Sequence, residues 1–219
     1  TPRPPADRDD VFLSQGRDAR LAGMTTATAP PPALVAGRTC GTCTLCCKVV
    51  GVSELAKPAG SWCSHCRPSR GCTIYDMRPA GCRDFYCEWL RSEKLGPEWK
   101  PERAKFAIIV SERGHLTVCV DPGFPMAWRQ PPYYESLRRW ARQQAEDPSS
   151  TWPAVDVAIG KRVIILLPDG EADLGTLAAD EEVRISRLMT PSGPAFVAAK
   201  FKVPGRNAPP ADAPGVATG

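Results

Sequence analysis

Apolar positions fall into two periods along the second half of the chain. Phe106-Ala-Ile-Ile-Val110 and Leu116-Thr-Val-Cys-Val120 are short apolar runs on either side of Arg113-Gly114. Such a pair predicts a β-hairpin, with the glycine supplying the positive φ of a tight turn. Asp121-Pro122-Gly123 then stops the second strand. From Tyr133 to Gln144 the period changes. Tyr134, Leu137 and Ala141 recur at i, i+3 and i+7 among arginines, which predicts an amphipathic helix. The strand pattern returns at Val155–Ile159 and Arg162–Leu167 across Gly160-Lys161, and Asp169-Gly170 marks a further turn. Glu182–Leu188 and Ala195–Val203 predict a last strand pair around Pro191-Ser-Gly-Pro194.

The first half lacks such periods. Residues 1–38 mix charges with small residues and a Pro30-Pro31-Pro32 run, and read as a disordered lead-in. Nothing before Met24 resembles folded sequence, which makes that residue a candidate initiator. The stretch 39–96 is rich in cysteine, 97–203 is an α+β segment packed on it, and 204–219 is a Pro/Ala/Gly-rich tail expected to be disordered. Pro79 suits the first turn of a helix running to about Leu95, with Gly96-Pro97 as its stop. The expected class is α+β: a small Cys-rich helical and loop segment joined to antiparallel hairpins with one or two helices.

Charge narrows the functions. A formal net charge of +4 over 219 residues is too mild to make nucleic acid or an anionic membrane the main partner. No run approaches the roughly 18 apolar residues of a membrane span, and Thr1–Arg20 holds no apolar signal core. A cytoplasmic location is the expectation. The cluster Arg138, Arg139 and Arg142 reads as a solvated helix face, and the six carboxylates of Asp169–Glu182 as an exposed acidic loop.

The cysteines carry the chemistry. Nine of the ten fall between Cys40 and Cys87. In a reducing compartment, so tight a set points to metal binding rather than disulfides. Cys40-x2-Cys43-x2-Cys46-Cys47 has the two-residue gaps that let one turn aim two thiolates at one ion. On an ideal helix Cys40, Cys43 and Cys47 would share a face and Cys46 would lie on its flank. Cys63 and Cys66 make a second such pair, followed by Cys72, Cys82 and Cys87. On a helix over 79–95, Cys82, Phe85 and Trp89 would share a face, with Cys87 about 140° away. The candidate metal ligands are therefore Cys40, Cys43, Cys46, Cys47, Cys63, Cys66, Cys72, Cys82 and Cys87. His65 is either a further ligand or a loop residue, and Cys119, on a strand, reads as a small buried hydrophobe. Arg78 and Arg83 are candidates to offset thiolate charge. Trp62, Phe85 and Trp89 are expected to form core around the site.

Cys40-x2-Cys43-x2-Cys46-Cys47, followed by Gly71-Cys72-Thr-Ile-Tyr75-Asp-Met-Arg78-Pro79-x2-Cys82-Arg83-x-Phe85, resembles the YkgJ-type cysteine-cluster family. The Lys57-Pro-Ala-Gly-Ser-Trp62-Cys63-x-His65-Cys66 stretch is similar to one proteobacterial branch of it. The likeness spans about residues 39–91 and implies a zinc- or iron-chelating domain. A similar cysteine run in flagellin lysine methylases implies an iron–sulfur cluster, but residues 104–203 carry no motif for methyl transfer. A bacterial ferredoxin run places its fourth cysteine three residues on, whereas here Cys47 follows Cys46 at once. Any cluster must take another ligand from elsewhere, such as Cys72 or Cys82. The set suffices for two zinc ions, or for one cluster and one zinc. Three functional classes follow: a metal-binding protein in storage, sensing or an accessory role, an iron–sulfur modifying enzyme, and a structural-zinc module that binds a protein partner.

Overall fold

A computed structural model describes residues 14–15, 33–111, 113–191 and 193–203. Most of the expected lead-in and the expected tail lie outside the described residues. The strands are β1 (Ser14–Gln15), β2 (Cys66–Arg67), β3 (Gly71–Cys72), β4 (Phe106–Val110), β5 (Leu116–Val120), β6 (Val155–Ile159), β7 (Arg162–Leu166), β8 (Glu171–Thr176), β9 (Glu181–Thr190) and β10 (Gly193–Lys202). The helices are α1 (Cys46–Val49), α2 (Ala80–Arg83), α3 (Glu88–Arg91), α4 (Pro101–Ala104) and α5 (Tyr133–Glu146). The protein is α+β, as the pattern predicts.

Strands β4 to β8 form a five-stranded sheet in sequence order, and β9 and β10 form a long hairpin with β1 beside β9. All neighbours in the five-stranded sheet are antiparallel except β5 and β6, which run parallel with Leu116 opposite Val155. Parallel neighbours need a crossover, and α5 is that crossover. Its apolar stripe, Leu137 and Ala141, is fully buried against the sheet.

Alternation along the strands divides the core. Phe106, Ile108, Val118, Val120, Ile164 and Leu166 point to one face, under α5, Trp99 and Trp128. The intervening side chains point to the other face, which has two covers. Val163, Ile165 and Leu167 pack against Val183, Ile185 and Ala198 of the β9–β10 hairpin. Ala107 and Cys119 pack against Leu45, Val49, Val50, Cys87 and Leu90 of the cysteine-rich segment. Ile109 of β4 packs at the edge of the same contact. Cys119 is a buried member of this core, as a strand cysteine predicts.

Two further contacts fix the segment to the sheet. Lys48 Nζ lies 2.5 Å from the buried carboxylate of Asp121, whose same oxygen accepts the Gly123 N–H at 2.8 Å. Gly60, at φ +83°, sits where a Cβ would stand 3.0 Å from the Gly160 Cα and 3.1 Å from Pro122. Only glycine allows that approach and that backbone angle together.

Four local expectations are corrected. The helix expected over 79–95 is two helices, α2 and α3, with Asp84 closing the first and Cys87 extended (φ −69°, ψ 152°) before the second. The acidic stretch is not a loop: Glu171–Thr176 is the edge strand β8, its carboxylates held by Arg129 and Arg162. Arg138 is not solvated with Arg139 and Arg142, because it donates to the carbonyls of Leu167 (2.9 Å) and Gly170 at the β7–β8 turn. The end of the expected lead-in docks on α3. Val35 N–H donates to Leu90 O at 2.9 Å, and Arg38 donates to the carbonyls of Trp89, Ser92 and Leu95.

Candidate metal centre

The cysteine-rich segment is mostly tight turns, and the turns place the sulfurs. Cys40 to Cys43 forms a turn closed by Cys43 N–H to Cys40 O at 2.9 Å, with Gly41 at φ +54°. Helix α1 begins only at Cys46, so the shared helical face expected for Cys40, Cys43 and Cys47 does not exist. A single helical turn leaves its last carbonyls without intrahelical partners. Here they are taken by the rest of the segment. Cys47 O accepts Cys63 N–H at 3.0 Å, and Lys57 Nζ donates to Lys48 O at 2.8 Å and to Val50 O. Cys63 O in turn accepts Cys66 N–H at 3.0 Å, and Cys66 pairs directly with Cys72 across β2–β3.

None of the ten cysteines is in a disulfide. The thiols fall into two sets joined through Cys40, which Cys47 also influences. Cys47, Cys63, Cys66, Cys72 and Cys82 influence one another's charge, with Cys46 beside Cys47. Cys87 is influenced instead by Cys40 and Cys43. In the first group a hydrogen bond to the Cys46 side chain drives the Cys47 pKa far up, burial adding to it. Cys66 is pushed to about 11 by burial and by the Cys47 charge, with the Thr44 side chain acting against the rise. Cys82 rises through burial and then the charges of Cys47, Cys63 and Cys72. In the second group, burial takes Cys87 to about 11 and raises Cys43 and Cys40, while backbone N–H groups oppose the rise. Among the described residues no three His, Cys, Asp or Glu side chains are set closely enough to hold a metal ion.

The donor chemistry nonetheless suits a soft or borderline ion: sulfur only, partly buried, and accompanied by fixed positive charge. The main cation is Lys57, which charge patterning along the chain does not mark. Lys57 is buried at 8% exposure. Burial lowers its pKa, while Cys63, Cys47, Cys46 and Cys82 pull it back up. The Val52–Lys57 turn, bonded in both directions at 2.9 and 3.0 Å, holds it there. In the sequence it stands between Ala56 and Pro58, at the head of the stretch that runs to Cys63 and Cys66. Arg78 does stand near a thiol, lowering the Cys40 pKa against burial while stacking 4.0 Å from the Tyr75 ring centroid. Arg83 is exposed.

His65 is half-buried, and its carbonyl accepts the Thr73 N–H (2.8 Å) and hydroxyl (3.1 Å). The aromatic shell is only partly as expected. Phe85 and Trp89 pack on the core beside Cys87, but Trp62 is 43% exposed, with Lys48 Nζ 5.4 Å from its ring centroid.

Among the described residues no helix is long and apolar enough to cross a membrane. No protein-family model, no curated protein and no solved structure matches this chain.

Proposed function

We propose that this chain is a metal-binding protein that holds zinc or an iron–sulfur cluster through cysteine thiolates, in a storage, sensing or accessory role in the cytoplasm. The ligands are drawn from Cys40, Cys43, Cys46, Cys47, Cys63, Cys66, Cys72, Cys82 and Cys87. One observation carries the reading. Sulfurs from separate short stretches lie near enough to a single helical turn for four of them to act on the charge of one buried lysine. A hydrophobic core has no use for so many thiols in one place, and a reducing compartment gives disulfides no standing there. The YkgJ-type likeness of residues 39–91 supports the same reading. When bound, the ion supplies a positive charge that keeps the sulfurs deprotonated and ties the turns together.

The chain's own residues prepare that event. Lys57 neutralises part of the thiolate charge. Backbone bonds from Cys63 to Cys47 and from Cys66 to Cys63 bring three of the sulfur-bearing residues into one run of turns.

Purification of the full chain without oxygen, with metal and acid-labile sulfide analysis, tests the reading. Bound zinc, or iron with sulfide, is expected, and Cys43→Ser with Cys47→Ser should lose it and loosen residues 39–96. Metal content unchanged in that double variant contradicts the proposal.

A further inference from the structure

We propose that Cys66 and Cys72 form a reversible disulfide across the β2–β3 hairpin, made by exchange with a small anionic disulfide such as glutathione disulfide, and that this bond competes with metal for the two sulfurs. The disulfide itself needs no ion. The competition rests on the thiolate–metal reading above.

Backbone register places the pair. Cys66 stands directly opposite Cys72, and Arg67 opposite Gly71, in an antiparallel ladder. The preceding pair is hydrogen-bonded, because Thr73 N–H donates to His65 O at 2.8 Å. Bonded and non-bonded pairs alternate along such a ladder, so Cys66 and Cys72 take a non-bonded position. There Cα atoms approach to about 4.5 Å and the two side chains lie closest, on one face. A disulfide asks for Cα atoms about 4.4–6.8 Å apart. The adjacent Cys46 and Cys47, with Cα atoms about 3.8 Å apart, fall short of that range. Among the described residues no other two cysteines face each other in a strand ladder.

The pair is held and yet reachable. Arg70 N–H donates to Arg67 O at 2.8 Å, and Ser69 N–H to Thr44 Oγ1 at 3.1 Å, which anchors the hairpin tip. Both thiols are free and half-buried, and open space lies where a Cβ at Gly71 would stand. Arg67 and Arg70 are exposed on the tip between the two cysteines. Two cations there draw in an oxidant that carries carboxylates.

The exchange balances. One cysteine thiolate attacks a sulfur of the oxidant, breaks its S–S bond and releases one thiolate. The other cysteine attacks the protein sulfur of that mixed disulfide and releases the second. Two cysteine sulfurs are oxidised, the oxidant's two sulfurs are reduced, and the two thiol protons pass to the released thiolates. In the reducing compartment proposed above such a bond is transient, of the sensing kind rather than the structural kind. While it lasts it withdraws two of the nine candidate ligands.

The test equilibrates the full chain, purified without oxygen, with glutathione disulfide in the presence of a chelator, followed by alkylation and trypsin. Cleavage after Arg70 separates the two cysteines. The expected product is a pair of joined peptides, parted by dithiothreitol, whose fragmentation assigns the bond to Cys66 and Cys72. Cys66 joined instead to Cys63 or to any other cysteine, or Cys66 and Cys72 recovered unlinked, overturns the proposal. Zn²⁺ added before the oxidant, in place of the chelator, should abolish the joined peptides over the same reaction time. Equal yields with and without bound Zn²⁺ overturn the competition. A folded chain that takes up no zinc and no iron overturns the thiolate–metal reading, while the linkage found under chelator still decides the disulfide.

Discussion

Lys57 shows how one side chain links local structure to the site. It closes α1 by donating to Lys48 O and Val50 O, and four thiols act on the charge of the same ammonium. Lys57→Met keeps the stem but leaves two buried carbonyls without a donor. The metal-free protein should lose about 1–3 kcal/mol of stability in urea unfolding, and an unchanged midpoint would show that water replaces the lysine. Nothing in the sequence around residue 57 announced this, because the partners are carbonyls ten residues or fewer away that become available only once α1 stops after one turn. His115 is a second case where burial decides. It stacks on Trp152 with ring centroids 5.5 Å apart, and Nε2 lies 2.9 Å from Thr151 Oγ1. Burial, and then the Arg113 charge, hold its pKa below the usual histidine value. The unfolded chain therefore takes up the proton first as pH falls. The contribution is complete above the unfolded value of about 6.5 and is lost as pH drops through the lower folded value. His115→Gln should remove that part of the acid sensitivity. Wild type and variant curves that stay parallel from pH 8 to 5 would exclude it.

At the scale of elements, the sequence was most readable where one face is buried. The periods that predict the β4–β5 and β6–β7 hairpins and α5 survive because Phe106, Val118, Leu137 and Ile164 all meet one core. The periodic reading misled where turns and ions decide. Residues 79–95 look helical by proline and glycine punctuation alone, yet Cys87 breaks the run so that its side chain enters the core beneath β4. β8 was hidden because its carboxylates resemble a solvated loop until Arg129 and Arg162, distant in sequence, arrive to pair with them. The cysteine turns left a different kind of trace. Their spacing marked the ligand candidates, but not which of them are neighbours, since that depends on β2–β3 pairing and on where α1 starts. Gly60 is the element-scale contact most open to test. Gly60→Ala combines a strained φ with a Cβ against backbone at Gly160. It should cost on the order of 1–3 kcal/mol and detach the cysteine-rich segment first, seen as faster amide exchange in 46–66 than in β4–β7. Uniform exchange throughout would mean that the segment and sheet unfold as one.

For the molecule as a whole, one sheet serves two covers on its second face. The β9–β10 hairpin covers the β7 side through ordinary apolar packing. The cysteine-rich segment covers the β4–β5 side with a core of its own, helped by Lys48–Asp121 and the Gly60 approach. Under the proposed function a bound ion is a further support of these turns, worth on the order of 10 kcal/mol in structural zinc sites. X-ray absorption at the metal edge, on anaerobically purified full-length protein, tests that claim most directly. A first shell of sulfur at about 2.3 Å is predicted. A shell of oxygen and nitrogen alone, or a natively folded protein with no metal edge to measure, would contradict it.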